Sequence, residues 1–320
     1  MGSEMCIRDR PWVKLTLFLT YIIIVTGATV RVTGSGMSCP DWPLCYGQLI
    51  PFPAPEGSGY TNFQVFLEWG HRLLVSIVGF FMIGLGVMAV RVRKVRPSVL
   101  RWTLTSFALL AVQIKLGAIT VWFSNIHWSV ALHLGTAMLF FGSIVIIKRL
   151  VAQGENMNHG TFDVPVRAKI MTWAVFVSVF FTMIMGAMVS SAYAGGSCGG
   201  LFSCMGSWMP SEDFQQLIHM KHRYLALLTF LLVGVYFSMV KNIHPELKKS
   251  AKAFKVFLLG QIILGVLTLY SFSHYADYYM HLSVAHLAWG TLFFMATVGT
   301  LGKIYYGAAG GSHYKEADHA

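Results

Sequence analysis

Apolar runs of about twenty residues alternate with polar stretches along the whole chain, at about residues 12–33, 66–90, 102–122, 127–147, 170–191, 217–240, 253–272 and 279–302. Each is long enough to carry a helix across the roughly 30 Å hydrocarbon core of a bilayer. A helix also satisfies its own backbone polar groups there, which an open strand cannot do. The pattern predicts an all-α polytopic membrane protein with eight transmembrane helices. The polar stretches between the runs set its orientation. Those after the second, fourth and sixth runs carry Arg91, Arg93, Lys94 and Arg96, then Lys148, Arg149 and Arg167, then Lys241, Lys248, Lys249 and Lys252. The intervening stretches, 33–67, 123–126, 192–220 and 273–280, contain no Lys or Arg. The positive-inside rule then puts the basic loops and both termini in the cytoplasm.

The eight runs are two sets of four. Phe63-Gln64 through His71-Arg72 returns as Phe214-Gln215 through His222-Arg223, with the same internal spacing. Gln113-Ile114-x-Leu116-Gly117-x-x-Thr120 returns as Gln261-Ile262-x-Leu264-Gly265-x-x-Thr268. His133-Leu134-x-x-Ala137 returns as His281-Leu282-x-x-Ala285 at the same offset as the glutamine segment, and Gly27-Ala28-x-Val30 returns as Gly186-Ala187-x-Val189. Order kept over four segments marks a tandem repeat, so two pseudo-symmetric four-helix bundles are expected. Residues 11–150 form the first bundle and 169–305 the second, joined by a cytoplasmic linker at 151–168. Residues 1–10, Cys6 among them, match nothing that follows and read as a fusion scar or translated adapter remnant. Residues 306–320, rich in Gly, His and charge, read as a disordered tail.

Composition agrees with this class. The chain of 320 residues is 55% hydrophobic and 12% charged, with a mean hydropathy of +0.60, too apolar for a soluble domain. The net charge of +11 is mostly carried by the cytoplasmic loops, and without a soluble basic domain it gives no reason to expect nucleic-acid binding. Trp42, Trp69, Trp122 and Trp208 cluster near the outer boundary, as an aromatic belt does. The remaining four cysteines lie in outer loops as two pairs of equal spacing, Cys39 with Cys45 and Cys198 with Cys204. In an oxidising compartment this arrangement predicts two local disulfides. They act either as static clips or as bonds exchanged with a thiol partner. Zinc is disfavoured because neither pair has further ligands spaced beside it.

Histidine carries the chemistry. His71, His133, His222 and His281 lie in runs two, four, six and eight, each within about two turns of the outer end. A lone histidine in an apolar helix is usually a hydrogen-bonded core residue, but four at repeat-matched positions point to sites. Imidazole is a common axial ligand of haem iron, and bundles hold such groups between facing helices. The grouping expected is His71 with His133 and His222 with His281. His127 and His286 lack repeat partners and take secondary places, and His274 falls in a short outer loop. Glu68 lies three residues before His71, on the same helix face, while its repeat equivalent is His219. Complementing the helix dipole is one use for that carboxylate; catalysis is the other. Arg72, Arg223 and Lys115 are candidates for haem propionates, with snorkelling to the interface as the alternative.

The segments SCPDWPLCYG (38–47), EWGHR (68–72), ALHLGTA (131–137) and KHRYLAL (221–227), with the second cysteine pair, resemble the haem A synthase family over about residues 12–303. That resemblance implies oxidation of a methyl group of haem O to a formyl group, giving haem A for terminal oxidases, in the bacterial cytoplasmic membrane. It implies a haem B cofactor held by His222 and His281, a substrate haem held by His71 and His133, and Glu68 as the acidic catalytic residue. At the eighth run the alternative ligand is His286, five residues on, and the repeat selects His281. Two successive hydroxylations followed by loss of water would reach the aldehyde. Positive charge developing on the macrocycle would be stabilised by a nearby carboxylate. Haem O synthase and an electron-transfer or thiol-redox protein are the partners implied. A di-haem electron-transfer cytochrome would need the histidines but gives no reason for Glu68. A transporter of inverted repeats does not suit repeats with an even number of spans.

Overall fold

The computed structural model describes residues 2–152, 164–210, 212–274 and 276–307, with the side chains of 2–9 and 273–277 outside that description. Most of the expected linker and the expected tail from 308 onward therefore lie outside the described residues. Eight helices follow one another: α1 (Gly2–Val32), α2 (Asn62–Arg91), α3 (Pro97–Trp122), α4 (His127–Ala152), α5 (Val166–Ser191), α6 (Phe214–Val240), α7 (Pro245–His274) and α8 (Ala276–Tyr306). All eight contain segments long and apolar enough to cross a membrane, and no strand occurs among the described residues. At 1.5 Å per residue most exceed the hydrocarbon thickness, so their ends carry the charged and capping residues. The start of α2 is a capping box, in which Gln64 N–H donates to Thr61 Oγ1 at 3.3 Å and Thr61 N–H to Gln64 Oε1 at 3.1 Å. Asp213 caps α6 by accepting from Gln216 N–H at 3.0 Å. Pro97 opens α3, where a missing N–H does no harm.

In the first half α1 packs on α2 and α4, and α3 packs on α4. In the second, α5 packs on α6 and α8, and α7 on α8. The halves meet through α1, α4, α5 and α8. Met138, Phe140, Phe141, Ile144, Ile146 and Ile147 are all buried, so α4 is apolar and covered on every side over residues 140–147, as a central helix must be. Gly135 and Gly142 let neighbours close in: a Cβ there would stand 3.2 Å from Ile184 Cδ1 of α5 and 3.4 Å from Phe294 Cε1 of α8. The peripheral helices instead expose Phe80 and Ile83, Leu104, Phe230 and Leu231, and Leu259. Apolar surface on that scale is at home against lipid tails.

Arg31 fastens the halves together near one end. Its guanidinium, on α1, donates to Ser190 O at 3.0 Å and Ser191 O at 2.8 Å, the last carbonyls of α5. It also donates to Tyr193 Oη at 3.0 Å and lies 4.3 Å over that ring. A cation at the carbonyl end of a helix meets the negative pole of its dipole. The same end of the molecule carries the two disulfides, Cys39–Cys45 and Cys198–Cys204. Each closes a small loop with an antiparallel bridge, Cys45 to Gln48 and Cys204 to Ser207. The turns use left-handed residue pairs, Tyr46-Gly47 and Met205-Gly206, the requirement of a type I′ turn.

Candidate functional site

Four imidazoles lie inside the two helix sets, and each rests on a glycine of the helix before it. A Cβ at Gly27 of α1 would stand 3.1 Å from Cε1 of His71, and one at Gly117 of α3 would stand 3.3 Å from Cε1 of His133. In the second half Gly186 of α5 stands in the same relation to His222 at 3.1 Å, and Gly265 of α7 to His286, also at 3.1 Å. The glycines let the rings approach the neighbouring backbone without displacement. All four belong to the repeated sequence segments, although the 16-residue spacing of Gly117 to His133 leads from Gly265 to His281 rather than to His286.

The partner of His222 is therefore not the expected one. His281 is exposed, while the ring of His286 lies 6.4 Å from that of His222, centroid to centroid, at 76°. Five helical residues rotate the side-chain direction by about 500°, or about 140° after full turns, so His281 and His286 cannot both face one site. The connection explains the shift: α3 and α4 are joined by residues 123–126, whereas α7 continues to His274 and α8 begins at Ala276. The longer α7 moves the inward histidine of α8 five residues out of register with that of α4, relative to the glutamine of the helix before it.

The hydrogen bonds repeat as well. Gln113 Nε2 lies 3.2 Å from His133 Nε2, and Gln261 Nε2 lies 3.1 Å from His286 Nε2. The rings of α2 and α6 differ from each other. His222 Nδ1 lies 3.0 Å from the carbonyl of Thr182, but His71 Nδ1 is buried without a partner. His133 Nδ1 and His286 Nδ1 are likewise buried and unpartnered.

Toward the disulfide end, each helix that carries the first histidine of a pair grips its loop. Glu68 is 4% exposed. Its Oε2 accepts from Cys39 N–H at 2.8 Å and Ser38 Oγ at 3.1 Å, and its Oε1 pairs with Arg72 at 2.6 Å. Arg72 donates onward to the carbonyls of Asp41 (2.6 Å), Cys39 (3.1 Å) and Leu44. In the second half an imidazole stands in the carboxylate's place. His219 Nδ1 meets Ala194 O at 2.9 Å and its Nε2 meets Arg223 at 3.3 Å, while Arg223 donates to the carbonyls of Cys198 (3.3 Å) and Leu201 (3.2 Å). Both arginines singled out from the sequence thus hold loop carbonyls. Lys115 is exposed on α3. His127 packs against Phe214 at 4.9 Å, and the side chain of His274 lies outside the described residues. Trp69 closes the first loop by donating to Leu49 O at 2.7 Å.

Among the described residues no three His, Cys, Asp or Glu side chains gather into one cluster. His222 and His286 come instead as a facing imidazole pair, which suits the two axial positions of a porphyrin iron. Residues 10–298 match the family model of COX15-CtaA, described as cytochrome oxidase assembly protein.

The chain belongs to that family.

Several relatives carry the name Heme A synthase. That of Shouchella clausii is 29% identical over 252 residues, 77% of this chain and 81% of the relative. That of Exiguobacterium sibiricum is 26% identical over 79% of this chain and 84% of its own length. That of Halalkalibacterium halodurans is 30% identical over 72% and 76%. The region matched by the COX15-CtaA model takes in both cysteine loops, Glu68 and all four inward histidines.

Proposed function

We propose that the chain is a haem A synthase, oxidising a methyl group of haem O to a formyl group by successive hydroxylations. Substrate haem O occupies the first bundle between His71 and His133, and haem B occupies the second between His222 and His286. The disulfide end faces outward from the bacterial cytoplasmic membrane and both termini face the cytoplasm, in keeping with the basic loops. The two bundles descend from one repeated unit.

The residues present fit such groups. A glycine under each ring and a pair of facing imidazoles, His222 and His286, are what an axial ligand set leaves in the protein. When bound, haem B supplies a one-electron redox centre. The chain's own residues divide the work unequally. His222, held through Nδ1 by the Thr182 carbonyl, has the outer bond that fixes ring orientation in a permanent ligand. His71 lacks that bond, which suits a guest that must come and go. Glu68 stands one turn from His71, and only one partner is seen on its Oε1. Another lone-pair direction remains, so the carboxylate can support positive charge developing on the substrate or take a proton from it.

The observation that carries this reading is the contrast between buried Glu68 in one half and His219 in the other, in a chain otherwise built twice. A pure electron carrier gives no reason for it. The test is pigment extraction from cells supplied with haem O and expressing the protein. Haem A should accumulate with the wild type, and His222→Ala should abolish both retained haem and product. Two retained haems with no haem A would identify an electron-transfer cytochrome instead.

A further inference from the structure

Four orphaned atoms form a matched set. Gln113 Oε1 and His133 Nδ1 are buried without a partner, and so are Gln261 Oε1 and His286 Nδ1. The one bond within each pair joins carboxamide Nε2 to ring Nε2, at 3.2 Å and 3.1 Å. In it the amide N–H donates and the ring nitrogen accepts, so the lone pair of that ring nitrogen is already engaged. Cε1 of each ring lies nearest the glycine, with Nδ1 3.9 Å from a Cβ at Gly117 and 3.7 Å from one at Gly265, where Nε2 stands at 4.0 Å.

A residue that orients a ligand binds the nitrogen turned away from the metal, as the Thr182 carbonyl does for His222. Gln113 and Gln261 bind the other one. No comparable amide reaches His71 or His222 among the described residues. We infer that Gln113 and Gln261 compete with iron for Nε2 of His133 and His286, so that each site has one standing ligand, on α2 or α6, and one exchangeable ligand, on α4 or α8. The inference rests on the haem reading above. In the first site it gives product release a device: Gln113 recaptures His133 whenever the ring lets go. In the second site the same amide opposes retention, and the Thr182 bond to the standing ligand counters it.

The experiment uses the full-length protein purified with its haem and follows transfer to excess apomyoglobin by the Soret band. Gln261→Met removes the amide, and Gln261→Asn keeps it but shortens the reach, which covers the case in which the first variant does not fold. Both should release haem about fivefold more slowly than wild type, the factor expected for removing one competing hydrogen bond of ordinary strength. Release that is unchanged or faster in both variants overturns the inference, since an orienting residue would speed loss when removed. A wild type with no Soret band, or a band untouched by His222→Ala, would instead sink the haem reading itself.

Discussion

Replacing Glu68 by His separates architecture from chemistry, because the protein already uses His219 at the matching place in its second half. Glu68→Ala removes an ion pair at 2.6 Å and two accepted hydrogen bonds at 2.8 and 3.1 Å from a residue 4% exposed. Stripping one partner from a buried pair costs about 3–5 kcal/mol. Arg72 keeps its carbonyl acceptors on Asp41, Cys39 and Leu44, so the lower end, about 3 kcal/mol, is expected. Glu68→His can meet Arg72 as His219 meets Arg223 at 3.3 Å, and should cost no more than about 1 kcal/mol. Thermal unfolding in detergent gives the stability ranking, and chromatography of extracted haems gives the conversion. The expected pattern is a stable Glu68→His protein that makes no haem A. Wild-type conversion by that variant would remove the carboxylate from the chemistry, and an undamaged Glu68→Ala protein would refute the role of Glu68 in gripping the loop.

His286→Ala should lose the haem retained by the second bundle while His281→Ala keeps it, a contrast read from pyridine haemochrome spectra; equal loss would contradict the ring placement. Gly186→Val puts a branched side chain where a Cβ already lies 3.1 Å from His222 and should weaken haem retention at least about tenfold, a differential of about 1.4 kcal/mol. Gly234→Val, at a position with nothing within 4 Å, serves as its control in the same binding titration. Arg31→Leu deletes the donors to the end of α5 and should lower stability to unfolding by about 1–3 kcal/mol. Arg31→Lys should restore only part of it, since an ammonium cannot span both carbonyls and the Tyr193 ring as a planar fork does.

Helix number and order were legible because a span needs a long apolar run, and each run found its helix. The inward place of His71, His133 and His222 was legible too, through the repeat. The register of α8 was not. His133-Leu134 and His281-Leu282 resemble one another at a constant offset, yet the ring that meets Gln261 is His286, 25 residues on, where His133 is 20 residues past Gln113, and His281 is left exposed. Sequence likeness does not record rotation about a helix axis: Gly117 precedes His133 by 16 residues and Gly265 precedes His281 by the same 16, yet the ring packed on Gly265 is that of His286. The grip of Glu68 on Ser38 and Cys39 was hidden for another reason. It joins residues about thirty positions apart through a loop whose path no periodicity describes. Gln113 and Gln261 were visible as repeated letters, but only coordinates bring an amide against a ring nitrogen.

Among helices consecutive in the chain, α2 touches α3 least, and α6 touches α7 next least. The four inner helices pack closely, with Arg31 tying α1 to the end of α5, while these two seams are the thinnest between consecutive helices. On the function proposed above, a flat, greasy substrate would reach His71 by edging between α2 and α3 with the closely packed inner helices left undisturbed. On that reading, traffic in the first bundle need not loosen what the second one holds.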